Sequence, residues 1–125
     1  MTMTMRIEIF PADLDATTDF YTRVLGFTLV RDQRNGSPGY VAVERDRVRI
    51  GAAYRDVPEG QPGRRPPSGT EIVLEVDDLD TEHGRVVAAG WPIEEDLTDR
   101  EWGLRDFRVL DPSGYYLRLT TQDRP

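Results

Sequence analysis

The chain reads as an α+β protein made by using one βαβββ module twice. Two observations point there. A strand, an aspartate-led helix and a glycine stop occur in the same order in each half, and each set is followed by two strands joined by a tight turn. A third is the proline- and glycine-rich stretch between the halves. It divides the 125 residues into a first module (1–57), a linker (58–69) and a second module (70–125) of one domain. A module of this kind has one sheet face covered by its helix and the other left open, so the two halves are expected to associate into a curved mixed sheet around a cleft.

The elements follow in order. Ile7-Glu8-Ile9-Phe10 alternates at the strand period. Asp13-Leu14-Asp15 then opens a helix carrying Phe20, Tyr21, Val24 and Leu25, stopped by Gly26-Phe27. An aspartate supplies the N-cap oxygen and suits the positive helix end, and a glycine tolerates the left-handed backbone that closes the last turn. Tyr40-Val41-Ala42-Val43 and Val48-Arg49-Ile50 return to β around a turn at Arg45-Asp46. In the second half Ile72 to Val76 is the first strand, Asp78-Leu79-Asp80 starts a helix with Val86, Val87 and Ala89, and Gly90-Trp91 ends it. Phe107 to Leu110 and Tyr115 to Leu119 flank the turn signal Asp111-Pro112-Ser113-Gly114. One strand per half is weakly marked. The linker holds four prolines and three glycines.

Composition narrows the chemistry. There is no cysteine, so disulfides, thiolate ligands and cysteine nucleophiles are excluded. All 16 basic residues are arginine, which removes a Schiff-base lysine and leaves rigid, permanently charged forks. With 23 acidic residues the formal charge is −7, a field that repels nucleic acid and favours a cationic partner. Neither a signal peptide nor an apolar run of roughly 18 residues is present, so a cytoplasmic protein without a membrane partner is expected.

Asp13-Leu14-Asp15 with Phe20-Tyr21 and Leu25-Gly26-Phe27, then Trp102-Gly103 and Asp111-Pro112-Ser113-Gly114-Tyr115, resemble over nearly the whole chain the glyoxalase/bleomycin-resistance/extradiol-dioxygenase superfamily, the vicinal oxygen chelate class. The resemblance implies the glyoxalase/bleomycin-resistance/dihydroxybiphenyl dioxygenase fold and a homodimer. It implies no single activity, since the class spans lyases, isomerases, dioxygenases, thiol transferases and drug-binding proteins. In its metal-using members the ligands come from the first and last strands of each module. Those positions here are Arg6, Glu71, Arg49 and Arg118. A guanidinium has no lone pair for a metal, so neither metal nor other cofactor is expected, and the pattern stands nearest the metal-free bleomycin-resistance-like branch.

Alternation places Arg6, Glu8, Phe10, Glu71, Val73 and Glu75 toward the cleft, joined by Arg47, Arg49, Tyr116, Arg118 and Thr120 from the last strands. These charges either pair internally or leave forks that clamp an anionic group of a ligand. Tyr40, Tyr54, Trp91, Trp102, Phe107 and Tyr116 are the aromatic candidates. Trp91 is assigned to packing by its equivalence to Phe27. Trp102 lies in a polar segment, at the point where a Trp-Gly of the bleomycin-binding relatives lies beside the ligand groove. The only histidine, His83, is read as a solvated helix residue rather than a base.

The expected function is metal-independent binding or sequestering of a small molecule, cationic or aromatic, an antibiotic among the possibilities. Trp102, Arg6, Arg49, Glu71, Arg118, Tyr116, Tyr40 and Phe107 are the ligand-binding set. The competing reading is a metal-free lyase or isomerase with Glu8, Glu71 or Glu75 as general base, which neighbouring arginines disfavour. A metal-dependent glyoxalase, dioxygenase or thiol transferase ranks third, and a structural or regulatory role fourth.

Overall fold

The computed structural model describes residues 2–56 and 70–122. The stretch read as a linker lies outside them. The chain divides into two compact units, Met1–Gln61 and Pro62–Pro125.

The first unit contains β1 (Ile7–Ile9), α1 (Leu14–Asp19), β2 (Thr28–Gln33), β3 (Tyr40–Arg45) and β4 (Val48–Ala53). The second contains β5 (Ile72–Val76), α2 (Leu79–Ala88), β6 (Glu95–Asp99), β7 (Arg105–Leu110) and β8 (Tyr116–Thr121). Each builds a four-stranded sheet with one topology, β1-β4-β3-β2 and β5-β8-β7-β6. The first strand is parallel to the last, and the other pairings are antiparallel. The repeat seen in the sequence is therefore a repeat of strand order.

Both helix starts are made by the expected aspartates. Asp13 accepts the Ala16 N–H at 2.9 Å and Asp78 the Thr81 N–H at 3.1 Å. Gly26 and Gly90 close the helical segments at φ 76° and 73°. The first helix departs from the single α-helix expected: after Asp19 it continues as a π-helix over Phe20–Val24, with Leu25 N–H donating to the Phe20 carbonyl. The hydroxyls of Thr17, Thr18 and Thr22 donate to carbonyls four residues earlier at 2.7 to 2.8 Å, competing with the backbone amides where the helix widens.

The two weakly marked strands are β2 and β6. Both are sheet edges, and each has a register shift, between Leu29 and Arg31 and between Glu95 and Thr98. An edge buries little and a bulge breaks the alternation, which removes the two signals a sequence offers for a strand.

The helix-facing sides form two cores. Ile9, Val41, Val43 and Ile50 lie with Phe20, Tyr21 and Val24 in the first, and Leu74, Phe107, Val109, Leu117 and Leu119 with Leu79 and Val86 in the second. Two expectations are revised here. Arg47, read as cleft-facing, is exposed in the turn between β3 and β4, because β4 starts one residue later. His83 is only partly solvated, at 21% exposure: it packs edge-on against Phe107 at 5.1 Å and its Nε2 lies 2.8 Å from Asp96 on β6.

Candidate functional site: two charged sheet faces

Strand alternation gives each unit a second sheet face, away from its helix, and that face is charged. In the first unit, Glu8 of β1 stands opposite Gly51 of β4, which stands opposite Ala42 of β3. Arg6 Nε lies 3.0 Å from Glu8 Oε1, and the Tyr40 hydroxyl donates to the same oxygen at 3.0 Å. Gly51 makes this meeting possible, for a Cβ there would fall on the Glu8 carboxylate and the Tyr40 hydroxyl. Burial, followed by the hydrogen bond and negative charge of Glu8, raises the Tyr40 phenol above the usual tyrosine range. Arg49 lies opposite Glu44 and donates to it at 2.9 Å, while its buried Nε has no hydrogen-bond partner.

The second unit has a denser network. Arg100 donates from Nε and Nη2 to Asp106, whose side chain is 0% exposed, and from Nη2 to Glu95 at 2.6 Å. The hydrogen bond to Asp106, then that to Glu95, holds the Arg100 guanidinium above its ordinary range. Arg118 Nε lies 2.6 Å from Glu71 Oε1. The cross-strand neighbour of Arg118 is Arg108. Arg108 donates from Nη1 to the Tyr116 hydroxyl at 3.0 Å, and its guanidinium lies 5.7 Å from the Tyr116 ring centre. Burial lowers the Arg108 pKa, but the bond to Tyr116 and nearby negative charge outweigh it and leave the group raised.

Six of the eight residues singled out from sequence thus lie at these faces: Arg6, Tyr40 and Arg49 in the first unit, Glu71, Tyr116 and Arg118 in the second. Trp102 sits in the turn after β6, 54% exposed, with the Arg100 guanidinium 5.9 Å from its ring centre. Phe107 is corrected: paired with Leu119 and alternating with Arg108, it points to α2 and is fully buried, so this face does not present it. Trp91 donates from Nε1 to the Leu110 carbonyl at 2.8 Å, tying the end of α2 to β7.

Sequence reasoning missed Arg100, Asp106 and Arg108. The last two were within reach, because Phe107 and Val109 inward puts Asp106 and Arg108 outward. Arg100 was not, since it lies beyond the bulged edge strand.

The donor set does not fit a metal. Three of the four positions that the resemblance assigns to metal ligands are guanidinium groups, and the fourth, Glu71, lies 2.6 Å from the Arg118 Nε. Among the described residues no three His, Asp or Glu side chains gather to hold an ion. Of the candidate bases, Glu8 has its lone pairs engaged by Arg6 and Tyr40, and Glu71 faces Arg118 with an Oε1 that makes no hydrogen bond among the described residues.

Residues 5–119 match the family model described as the glyoxalase/bleomycin resistance protein/dioxygenase superfamily. Among solved structures, TioX from Micromonospora sp. ML1 is similar at 25% identity and a TM-score of 0.76, with 96% of this chain and 98% of that one covered. A bleomycin-binding protein complexed with bleomycin is similar at 26% identity and a TM-score of 0.72, covering 98% and 100%. A bleomycin resistance determinant encoded on the transposon Tn5 shares the fold at 21% identity and a TM-score of 0.76, covering 98% and 100%. No curated protein matches the sequence. No helix among the described residues is long and apolar enough to cross a membrane.

Proposed function

The chain belongs to the glyoxalase/bleomycin resistance protein/dioxygenase superfamily, and we propose that within it this protein binds a small organic molecule without a metal and sequesters it without transforming it. One observation carries the reading. Where metal-using relatives place ligands, this chain has Arg6, Arg49 and Arg118, each within ion-pair distance of a glutamate. Such pairs give each sheet a preformed charged face, and their guanidinium groups offer a metal no lone pair. Tyr40, Tyr116 and the exposed Trp102 add aromatic surface, the usual partner of charge in small-molecule sites. The net charge of −7 favours a ligand with cationic character. The structure at 26% identity with bleomycin bound makes such an antibiotic the first compound to try. A cytoplasmic homodimer is part of the proposal, and light scattering in solution checks the dimer.

The test is a thermal-shift series on purified, metal-stripped protein, with manganese, nickel, zinc and ferrous ions in one arm and bleomycin and other aromatic antibiotics in the other. A ligand selective for the folded state raises the midpoint. A shift with an antibiotic that is lost in Trp102→Ala supports the proposal. Tight stoichiometric metal binding with a large shift overturns it.

A further inference from the structure

We propose that the open face of the second sheet holds a subsite for the carboxylate of a small molecule, centred on Arg108 and flanked by Arg118 and Tyr116. This rests on the binding reading above and names the ligand chemistry at one point of it. Arg108 and Arg118 are the two guanidinium groups of the face whose buried Nε makes no hydrogen bond among the described residues. The Arg108 side chain is 15% exposed, yet among the described residues its one hydrogen bond is to the Tyr116 hydroxyl, and its buried Nε has no hydrogen-bond partner. The nearest carboxylates, Glu95 and Asp106, stand 3.8 Å from that Nε, beyond hydrogen-bond reach, and both already accept from Arg100. Glu95 and Asp106 therefore offset the charge of Arg108 from 3.8 Å but leave its Nε–H without an acceptor.

The cross-strand neighbour sharpens the point. Arg118 lies directly opposite Arg108, and like charges in that position repel. Glu71 approaches the Arg118 Nε at 2.6 Å, yet among the described residues that Nε has no hydrogen-bond partner. Two adjacent planar forks with unused N–H groups are a geometry that a carboxylate oxygen pair relieves, by accepting bidentate hydrogen bonds and screening the repulsion. Phosphate, a tetrahedral dianion, would also meet Glu71 and Glu95 across the same face, so the singly charged planar carboxylate is the better match.

The experiment titrates metal-stripped protein with sodium benzoate, benzamide, benzylamine and inorganic phosphate, reading affinity by calorimetry and the arginine Nε–Hε resonances by NMR. Benzoate is expected to bind, to move the Arg108 and Arg118 resonances, and to bind more tightly than its neutral or cationic analogues. Arg108→Gln should weaken benzoate roughly ten- to hundredfold, the loss of a charged hydrogen bond. Arg108→Lys should recover part of that, and Arg23→Gln on the first helix should change nothing. Unliganded melting of each variant shows that it is folded, and the resonance shifts in the parent stand even if Arg108→Gln is not. Benzamide or phosphate binding as well as benzoate, or benzoate leaving the Arg108 resonance unmoved, overturns the subsite. Bleomycin binding without benzoate binding overturns the subsite alone, whereas a tight metal response overturns the binding reading beneath it.

Discussion

Arg100→Met probes the most buried charge of the second unit. Asp106 is completely buried and accepts from Arg100 through both carboxylate oxygens at 2.8 to 3.1 Å. Methionine keeps most of the stem and removes the fork, so the loss is electrostatic rather than a cavity. Removing one member of a buried pair costs about 3–5 kcal/mol. The lower end applies here, because Arg108 remains 3.8 Å from Asp106 and Arg100 itself is 16% exposed. The Glu95 contact adds little, since that side chain is 41% exposed. A loss of about 3 kcal/mol lowers the melting midpoint of a chain this size by roughly 10 °C. Urea unfolding followed by circular dichroism measures it directly, and the double variant Arg100→Met/Asp106→Leu supplies the control. With both charges gone no fully buried carboxylate is left unpaired, and Glu95 and Arg108 keep each other at 3.8 Å, so the double variant should lie within about 1 kcal/mol of the parent. A single variant that loses less than about 1 kcal/mol, or a double variant no more stable than the single, refutes the claim that Asp106 depends on Arg100.

Gly51→Ala should destabilise by about 1–3 kcal/mol through overpacking, and Tyr40→Phe in the same background should relieve part of it, because the added methyl meets the Glu8–Tyr40 pair. Chemical denaturation checks both. The raised Tyr40 pKa implies stability that is complete below about pH 10, the ordinary tyrosine value, and is lost as pH climbs through the higher value of the folded protein. Glu8→Gln should shift the Tyr40 tyrosinate absorbance titration downward, and an unchanged titration would mean Glu8 has no part in it. Asp78 has its pKa lowered by the Thr81 contact, so its share of stability is present above about pH 4, the unfolded carboxylate value, and is lost as pH falls through the lower folded value. Asp78→Asn, which still caps the helix, should flatten that acid limb. Trp102→Ala should leave stability within about 0.5 kcal/mol while weakening an aromatic ligand, since half its side chain is exposed.

The sequence by itself determined the repeat, the helix starts at Asp13 and Asp78, their ends at Gly26 and Gly90, and the placement of Arg6, Glu8, Glu71 and Arg118 opposite the core. These are local matters: an N-cap needs one carboxylate oxygen, a left-handed residue favours glycine, and a strand's side-chain period is two whatever surrounds it. It did not determine the partners. That Gly51 clears the way for Tyr40 to reach Glu8, that His83 packs on Phe107, and that Arg100 reaches past a bulged edge to Asp106 all depend on register between strands distant in the chain. Phe107 shows the limit most simply. Its residue type suited a ligand as well as a core, and the pairing with Leu119 decided for the core; once Phe107 is inward, alternation alone puts Arg108 outward. Register is set by the summed burial of a whole sheet face, a quantity that no single residue or motif carries.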